Sequence, residues 1–301
     1  MWVVKYRKVF YTLSGLLILA SFVSLFLWGL KPGVDFTGGT LIEVSYEGQR
    51  PEQAVVISAL TSIDPAVSVR PSNTNTGSQE FIVRMKEVNQ AEKEQVMTAL
   101  SLNGSASTTI KTFDSIGPVL GAEALRKSIV SVILVILGIV LYITFAFRKV
   151  SEPVQSWKYG IVAIVALVHD VIIPTGVFSI LGHFAGYEVD TLFVTALLVI
   201  LGFSVHDTIV VFDRVRENLR HASAKKNFGD IVGESVSQTF ARSINTSLTT
   251  LIALTVLYFV GGSTTEHFSL ALIIGIFVGT YSSIFIGSTL LVTIAGAGKK
   301  K

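Results

Sequence analysis

The chain has 301 residues, half of them hydrophobic and only 15% charged, with a mean hydropathy of +0.62. That composition excludes an ordinary soluble domain, and its blocks of apolar residues indicate an integral membrane protein. The lack of cysteine excludes disulfides, thiolate catalysis and thiolate-bound zinc; the net charge of +3 matters through its placement.

A helix needs about 20 apolar residues to cross a bilayer. Six segments qualify, at roughly 9–30, 129–147, 161–181, 191–212, 242–260 and 268–295. Lys5, Arg7 and Lys8 precede the first. Its apolar run is too long for a signal-peptide core, and no A-x-A-like site follows, so it is expected to be a retained anchor.

Residues 31–126 separate the first two spans. "TLIEVSYEG" alternates as a strand, and "RPEQAVVISAL" reads as a helix with Pro51 at its start. "AVSVRPS" and "EFIVRM" are further strands flanking the turn-rich "SNTNTGSQ". "NQAEKEQVMTALSL" is a second helix and "STTIKTFDSI" a last strand. The order β-α-β-β-α-β predicts an α+β, ferredoxin-like sandwich. It contains no histidine and no nucleophile–base set, so binding or docking is expected of it.

The basic residues fix an expected topology. Besides the first three, Arg148, Lys149 and Lys158 lie between spans two and three. Arg214, Arg216, Arg220, Lys225 and Lys226 lie between spans four and five, and Lys299, Lys300 and Lys301 close the chain. Loops 182–190 and 261–267 contain no Lys or Arg. Both termini are therefore expected in the cytoplasm. The expected organisation is 1–30 as first span, 31–126 as an outer domain, and 127–301 as five further spans.

Three spans carry groups that lipid should exclude. His169 and Asp170 lie in the third, and His206 and Asp207 in the fourth, where Ser204, Asp207 and Thr208 share a helical face. The fifth reaches full length only by including Arg242, Asn245, Thr246, Thr249 and Thr250, which fall on one stripe. Spans four and five run in opposite directions, so Asp207 and Arg242 are expected at similar depth. An unpaired Asp at a helix centre costs about 2.5–3.5 kcal/mol. Burial and a nearby guanidinium pull a carboxyl's proton affinity in opposite directions, a balance that lets it load and unload a proton. The alternative is a static ion pair that fixes helix register. His169, Asp170, Asn245, Thr246 and Thr249 are candidates for an accessory proton path. His206, about 100° round the helix from Asp207, is a weaker candidate whose simpler reading is structural. Asp213 and the basic run after it read as solvated topology determinants.

Gly275, Gly279, Ser283 and Gly287 repeat every four residues in the last span, a pattern that lets helix backbones approach. Between spans four and five, "NFGDIVGESVSQTFARS" reads as an amphipathic helix along the membrane interface, with Ile231, Val232, Val236 and Phe240 on its apolar side.

Several of these segments resemble the SecD/SecF family. "GVDFTGGT", with Gly33, Asp35, Phe36, Gly38 and Gly39, is similar to the signature that opens the family's outer domain. "FDSIGPVLGAE" fits before span two, "GFSVHDTIVVFDRVREN" resembles the fourth-span motif and "FARSINTSLTT" the fifth. Length and motif wording lie nearer the SecF branch. The resemblance implies a six-helix bundle forming half of a twelve-helix arrangement like that of resistance-nodulation-division transporters. It also implies use of the proton-motive force in late steps of protein translocation at the bacterial inner membrane. Asp207 would be the proton carrier and Arg242 its functional partner; His206 departs from the asparagine common in the family. Implied partners are a SecD-like subunit, the Sec translocon (SecYEG with SecA), an unfolded translocating polypeptide, protons and lipid, with YajC a further candidate. No cofactor, metal, catalytic residue or nucleic acid is expected.

Rival readings are an exporter half for small molecules or lipids, a non-transporting assembly scaffold, and an intramembrane enzyme. About 95 outer residues are few for an exporter. The enzyme reading lacks HExxH, cysteine and a metal-binding helix face.

Overall fold

The protein is described from a computed structural model, which covers residues 2–47, 49–71, 79–148, 155–222 and 226–297. Lys149, Lys225, Lys299–Lys301 and most of "SNTNTGSQ" lie outside these residues.

A short α1 (Trp2–Lys5) leads into α2 (Arg7–Trp28), and the chain then turns through α3 (Val34–Thr37). The α+β unit follows as β1 (Gly39–Tyr46), α4 (Gln53–Thr61), β2 (Ser68–Pro71), β3 (Glu80–Met85), α5 (Gln90–Leu100) and β4 (Thr108–Ile116). The strand order is β2-β3-β1-β4 with every pair antiparallel. Alternation along the strands sends Ile42, Val44, Phe81 and Val83 to one face, where they form a core with Val56 and Leu60 of α4 and Val96 and Leu100 of α5. Asn89 starts α5 with a capping box, accepting from the Glu92 backbone while the Glu92 side chain bonds back.

The opposite sheet face presents Leu41, Glu43, Ile82 and Arg84, which line a cavity of about 780 Å³ against the helix ends. The double glycine explains how the sheet is set so close to the next helix. Gly38 has φ 75° and Gly39 φ 120°, both in the range that favours glycine. A Cβ on Gly38 would fall 2.7 Å from Cα of Pro118, and one on Gly39 would fall 2.8 Å from the Met85 carbonyl oxygen.

Among the described residues six helices are long and apolar enough to cross a membrane: Arg7–Trp28, Pro118–Ala146, Trp157–Phe184, Thr191–His221, Phe228–Val260 and Thr265–Ala295. They comprise α2, α6 (Pro118–Ala146), α7 (Ser156–Phe184), α8 (Thr191–His221), α9 (Phe228–Val260), and a last span built from α10 (Ser263–Tyr281), a π-helical turn (Ser282–Gly287) and α11 (Ser288–Ala297). Helix α8 occupies the middle, packed on α6, α7, α9 and α10. Helix α2 lies on α7 along a seam of buried serines, Ser14, Ser21 and Ser24. The approach is close: a Cβ on Gly176 would lie 2.3 Å from that of Ser21.

One expectation is corrected. The segment 228–241 does not lie separately along the interface; it is the first part of α9, which runs unbroken to Val260. No proline interrupts its hydrogen-bond ladder. Val232 and Val236 have protein to cover them, packing with Val211 and Val215 of α8, Val3 of α1 and Ile284.

Candidate functional site

Asp207 is 5% exposed in the middle of α8. Ser243 of α9 donates its hydroxyl to Oδ1 at 2.7 Å, and Ser283 of the π-helical turn donates to Oδ2 at 2.9 Å. Among the described residues no ion pair joins Asp207 to Arg242. Arg242 instead lies on the exposed side of α9 together with Asn245, Thr246 and Thr249. The reason is one residue of helix rotation, about 100°: the face turned inward carries Ser243 and Ser247, and the latter bonds Thr280 at 2.6 Å. The expected pairing within the chain is therefore replaced by two hydroxyls, and the polar stripe points outward. His206 is also exposed, and among the described residues it has no hydrogen bond or ion pair.

A second carboxylate lies nearby. Asp170 is fully buried and His169 2% exposed. His169 Nδ1 is 2.8 Å from Asp170 Oδ1, while Ser282 donates to Oδ2 at 2.7 Å and Ser204 donates to the same oxygen. His169 Nε2 reaches Ser14 Oγ at 3.1 Å, and the ring stacks on Tyr281. Pro174 has no N–H to give the Asp170 carbonyl four residues before it, so α7 loses a helix bond at this point.

The π-helical turn brings these two groups together. It sets adjacent residues, Ser282 and Ser283, on different carboxylates. The small-residue repeat meets α8: a Cβ on Gly279 would stand 3.1 Å from Ser204 Cβ, and one on Gly275 would overlap Ile200. Ser283, read from sequence as a packing position, is also a hydrogen-bond donor. Ser243, Ser247 and Ser282 carry no such signal in the sequence: unlike Ser204 they do not share a helix face with an acid, and unlike Ser283 they fall outside the four-residue repeat.

A polar junction ties the α+β unit to the start of α8. Asp35 Oδ2 accepts from the Thr191 backbone N–H at 3.0 Å and from its hydroxyl, while Asp190 accepts from Phe193 N–H at 2.7 Å. Burial, and then the charge of Asp35, raise the Asp190 carboxyl above its ordinary value, against the opposing pull of the Phe193 N–H. Glu188 pairs with Lys31 at 3.2 Å and with Arg84 of β3 at 2.5 Å. Burial lowers the Arg84 guanidinium from its usual value, while Glu188 opposes this. Among the described residues no group of three or more His, Asp or Glu is placed to hold a metal.

Residues 95–297 match the C-terminal model of the protein export membrane proteins SecD/SecF, and residues 23–49 match the SecD/SecF GG motif. Asp35, Phe36, Gly38 and Gly39 fall in the second match. The protein translocase subunit SecF of Thermobaculum terrenum is 46% identical over 97% of this chain and 93% of its own length. That of Anaerolinea thermophila is 36% identical over 95% and 91%. The crystal structure of SecDF, a translocon-associated membrane protein from Thermus thermophilus, superposes with a TM-score of 0.82 at 30% identity. That match covers 97% of this chain and 38% of that one, so the chain spans well under half of the SecDF polypeptide. The chain belongs to the SecD/SecF family of protein export membrane proteins, with the SecF translocase subunits.

Proposed function

We propose that the chain is the SecF half of a proton-driven assembly that promotes late steps of translocation through the Sec channel at the bacterial inner membrane. In this reading it forms half of a twelve-helix, RND-like bundle with a SecD-like subunit. Residues 31–126 are a ferredoxin-like domain on the outer side, and both termini are cytoplasmic. The Sec translocon and an unfolded polypeptide are its partners, with YajC a further candidate.

One observation carries the reading. Asp207 is buried at mid-helix and, among the described residues, its side chain has the neutral hydroxyls of Ser243 and Ser283 as its hydrogen-bond partners, while Arg242 of the adjoining helix points out of the chain. A buried carboxylate without a cation is costly, and a proton relieves that cost reversibly. Arg242, Asn245, Thr246 and Thr249 form a polar surface that lipid would disfavour and that a second membrane subunit would cover. Moving one charge across the membrane is worth about 2.3 kcal/mol per 100 mV, enough to bias a helix rearrangement. The junction from Asp35 to Thr191 offers a direct route from α8 to the sheet domain.

The test is export from vesicles carrying Asp207→Asn protein, with and without a proton gradient, with assembly on the SecD-like subunit checked in the same preparation. Normal assembly with loss of gradient-stimulated release is expected. Undiminished gradient-dependent release would sink the reading and leave a scaffold.

A further inference from the structure

The hydrogen bonds around His169 accommodate more than one arrangement of its protons. Tyr281 Oη donates to the Phe10 carbonyl at 3.0 Å, an acceptor that has no proton to return. The single Ser14 proton then has two destinations. It can go to Tyr281 Oη, 3.4 Å away, or to His169 Nε2, 3.1 Å away. In the first case Nε2 must itself donate; the ring then either carries a proton on both nitrogens beside an Asp170 carboxylate, or carries Nε2–H alone while Nδ1 accepts from a protonated Asp170. In the second Nε2 accepts, and the ring is neutral. Rotation of one hydroxyl thus satisfies either protonation state without moving the backbone.

The Asp170 side has the same two-way construction. Ser282 donates to Asp170 at 2.7 Å but also stands 3.1 Å from the Gly279 carbonyl. Ser283 donates to Asp207 at 2.9 Å and stands 3.1 Å from the Thr280 carbonyl. When either carboxyl takes up a proton, its serine has a helix carbonyl waiting. The two serines are consecutive in a π-helical turn, a local irregularity that often marks functional sites. A swing at one therefore bears on the other. Helix α8 makes a second link, since Ser204, which donates to Asp170, lies one turn before Asp207.

We propose that His169 and Asp170 form a second proton-binding site, coupled to Asp207 through Ser282 and Ser283. This deepens the reading of Asp207 as a proton carrier and rests on it. The groups facing the pair are Ser14 from α2, Ser204 and, a turn further, Asp207 from α8, and Tyr281 and Ser282 from the last span. Among the described residues no Lys or Arg forms an ion pair with Asp170. The exchangeable proton is therefore shared among His169, Asp170 and the hydroxyls around them.

The test reads the imidazole directly. The full chain, carrying ¹⁵N-histidine and assembled with its SecD-like subunit in lipid nanodiscs, is titrated from about pH 5 to 9, the range in which histidine switches. Nitrogen shifts are assigned to His169 by their loss in His169→Gln. The expected result is a change in His169 protonation inside this range, with a midpoint displaced by about one pH unit, a tenfold change, in Asp207→Asn and in Ser14→Ala. An imidazole that keeps one protonation state throughout overturns the proposal. So does a midpoint that is the same in Asp207→Asn as in the parent. Ser14→Ala removes only the switching hydroxyl and serves if Asp207→Asn does not fold. Because export is not the readout, failure of this site and failure of Asp207 as a carrier are separate results.

Discussion

Asp35 and Thr191, far apart in sequence, meet at the start of α8, where the Asp35 carboxylate accepts the Thr191 backbone N–H at 3.0 Å. Asp35 belongs to the segment entering the sheet, and Asp207 lies further along the same helix, about 24 Å away at 1.5 Å per residue. Removing an acceptor from a helix N-terminus costs about 0.5–2 kcal/mol. Asp35→Ala is therefore expected to lower the thermal midpoint of the purified protein, and Asp35→Asn, which can still accept, to lower it less. Equal melting of Ala variant and parent would show that this contact does not hold the two parts together.

Asp190 supplies a pH dependence at the same junction. Its carboxyl is raised by burial and by Asp35, so the folded state holds the proton at pH values where the unfolded chain has already lost it. Stability is then lost as pH rises from the unfolded carboxyl value through the raised folded one, and is regained on acidification. Asp190→Asn keeps an oxygen to cap Phe193 and removes the titration. Its melting temperature between about pH 4 and 7 should be flatter than the parent's. An identical slope in both proteins counts against the assignment.

Gly38→Ala tests the double glycine. The added methyl meets Pro118 backbone at 2.7 Å and requires φ 75°, so neither a rotamer change nor a small shift accommodates it. A loss of several kcal/mol is expected, since strain and overpacking each cost about 1–3 kcal/mol. Limited proteolysis within 31–126 is the readout. A protease-resistant variant with parental melting would contradict the close approach.

Ser243 and Arg242 are adjacent but should behave oppositely. Ser243→Ala removes a buried donor from Asp207 and is expected to destabilise the chain by about 1–2 kcal/mol. Arg242→Ala removes an exposed group and should leave the isolated chain within about 0.5 kcal/mol of the parent, while weakening capture by the SecD-like subunit. Melting curves and co-purification of the same two variants separate the effects. The reverse pattern would place the guanidinium inside the chain.

Much of the fold was legible because its signals are local. The spans are continuous apolar blocks, and β1 to β4 alternate or stand between turn residues. The stripe from Arg242 to Thr249 was also legible as one helix face. Which of two adjacent residues turns inward was not, since Ser243 differs from Arg242 by a rotation that only packing on α8 decides. The π-helical turn leaves no periodic mark, so the division of Ser282 and Ser283 between two carboxylates could not be read in advance. The cap from Asp35 to Thr191 is invisible for another reason: neither residue signals its partner across the intervening domain. Continuity of α9 through 228–241 was missed because an amphipathic pattern reads alike on a lipid surface and on a neighbouring helix.

The outward placement of Arg242 has a bearing on biogenesis. On the proposed reading, a chain inserted without its partner leaves that guanidinium uncovered at the edge of its apolar run. There a long cationic side chain reaches toward the headgroups and costs less than the penalty of about 2.5–3.5 kcal/mol at a helix centre. A single side chain thereby favours the paired over the solitary subunit in the membrane.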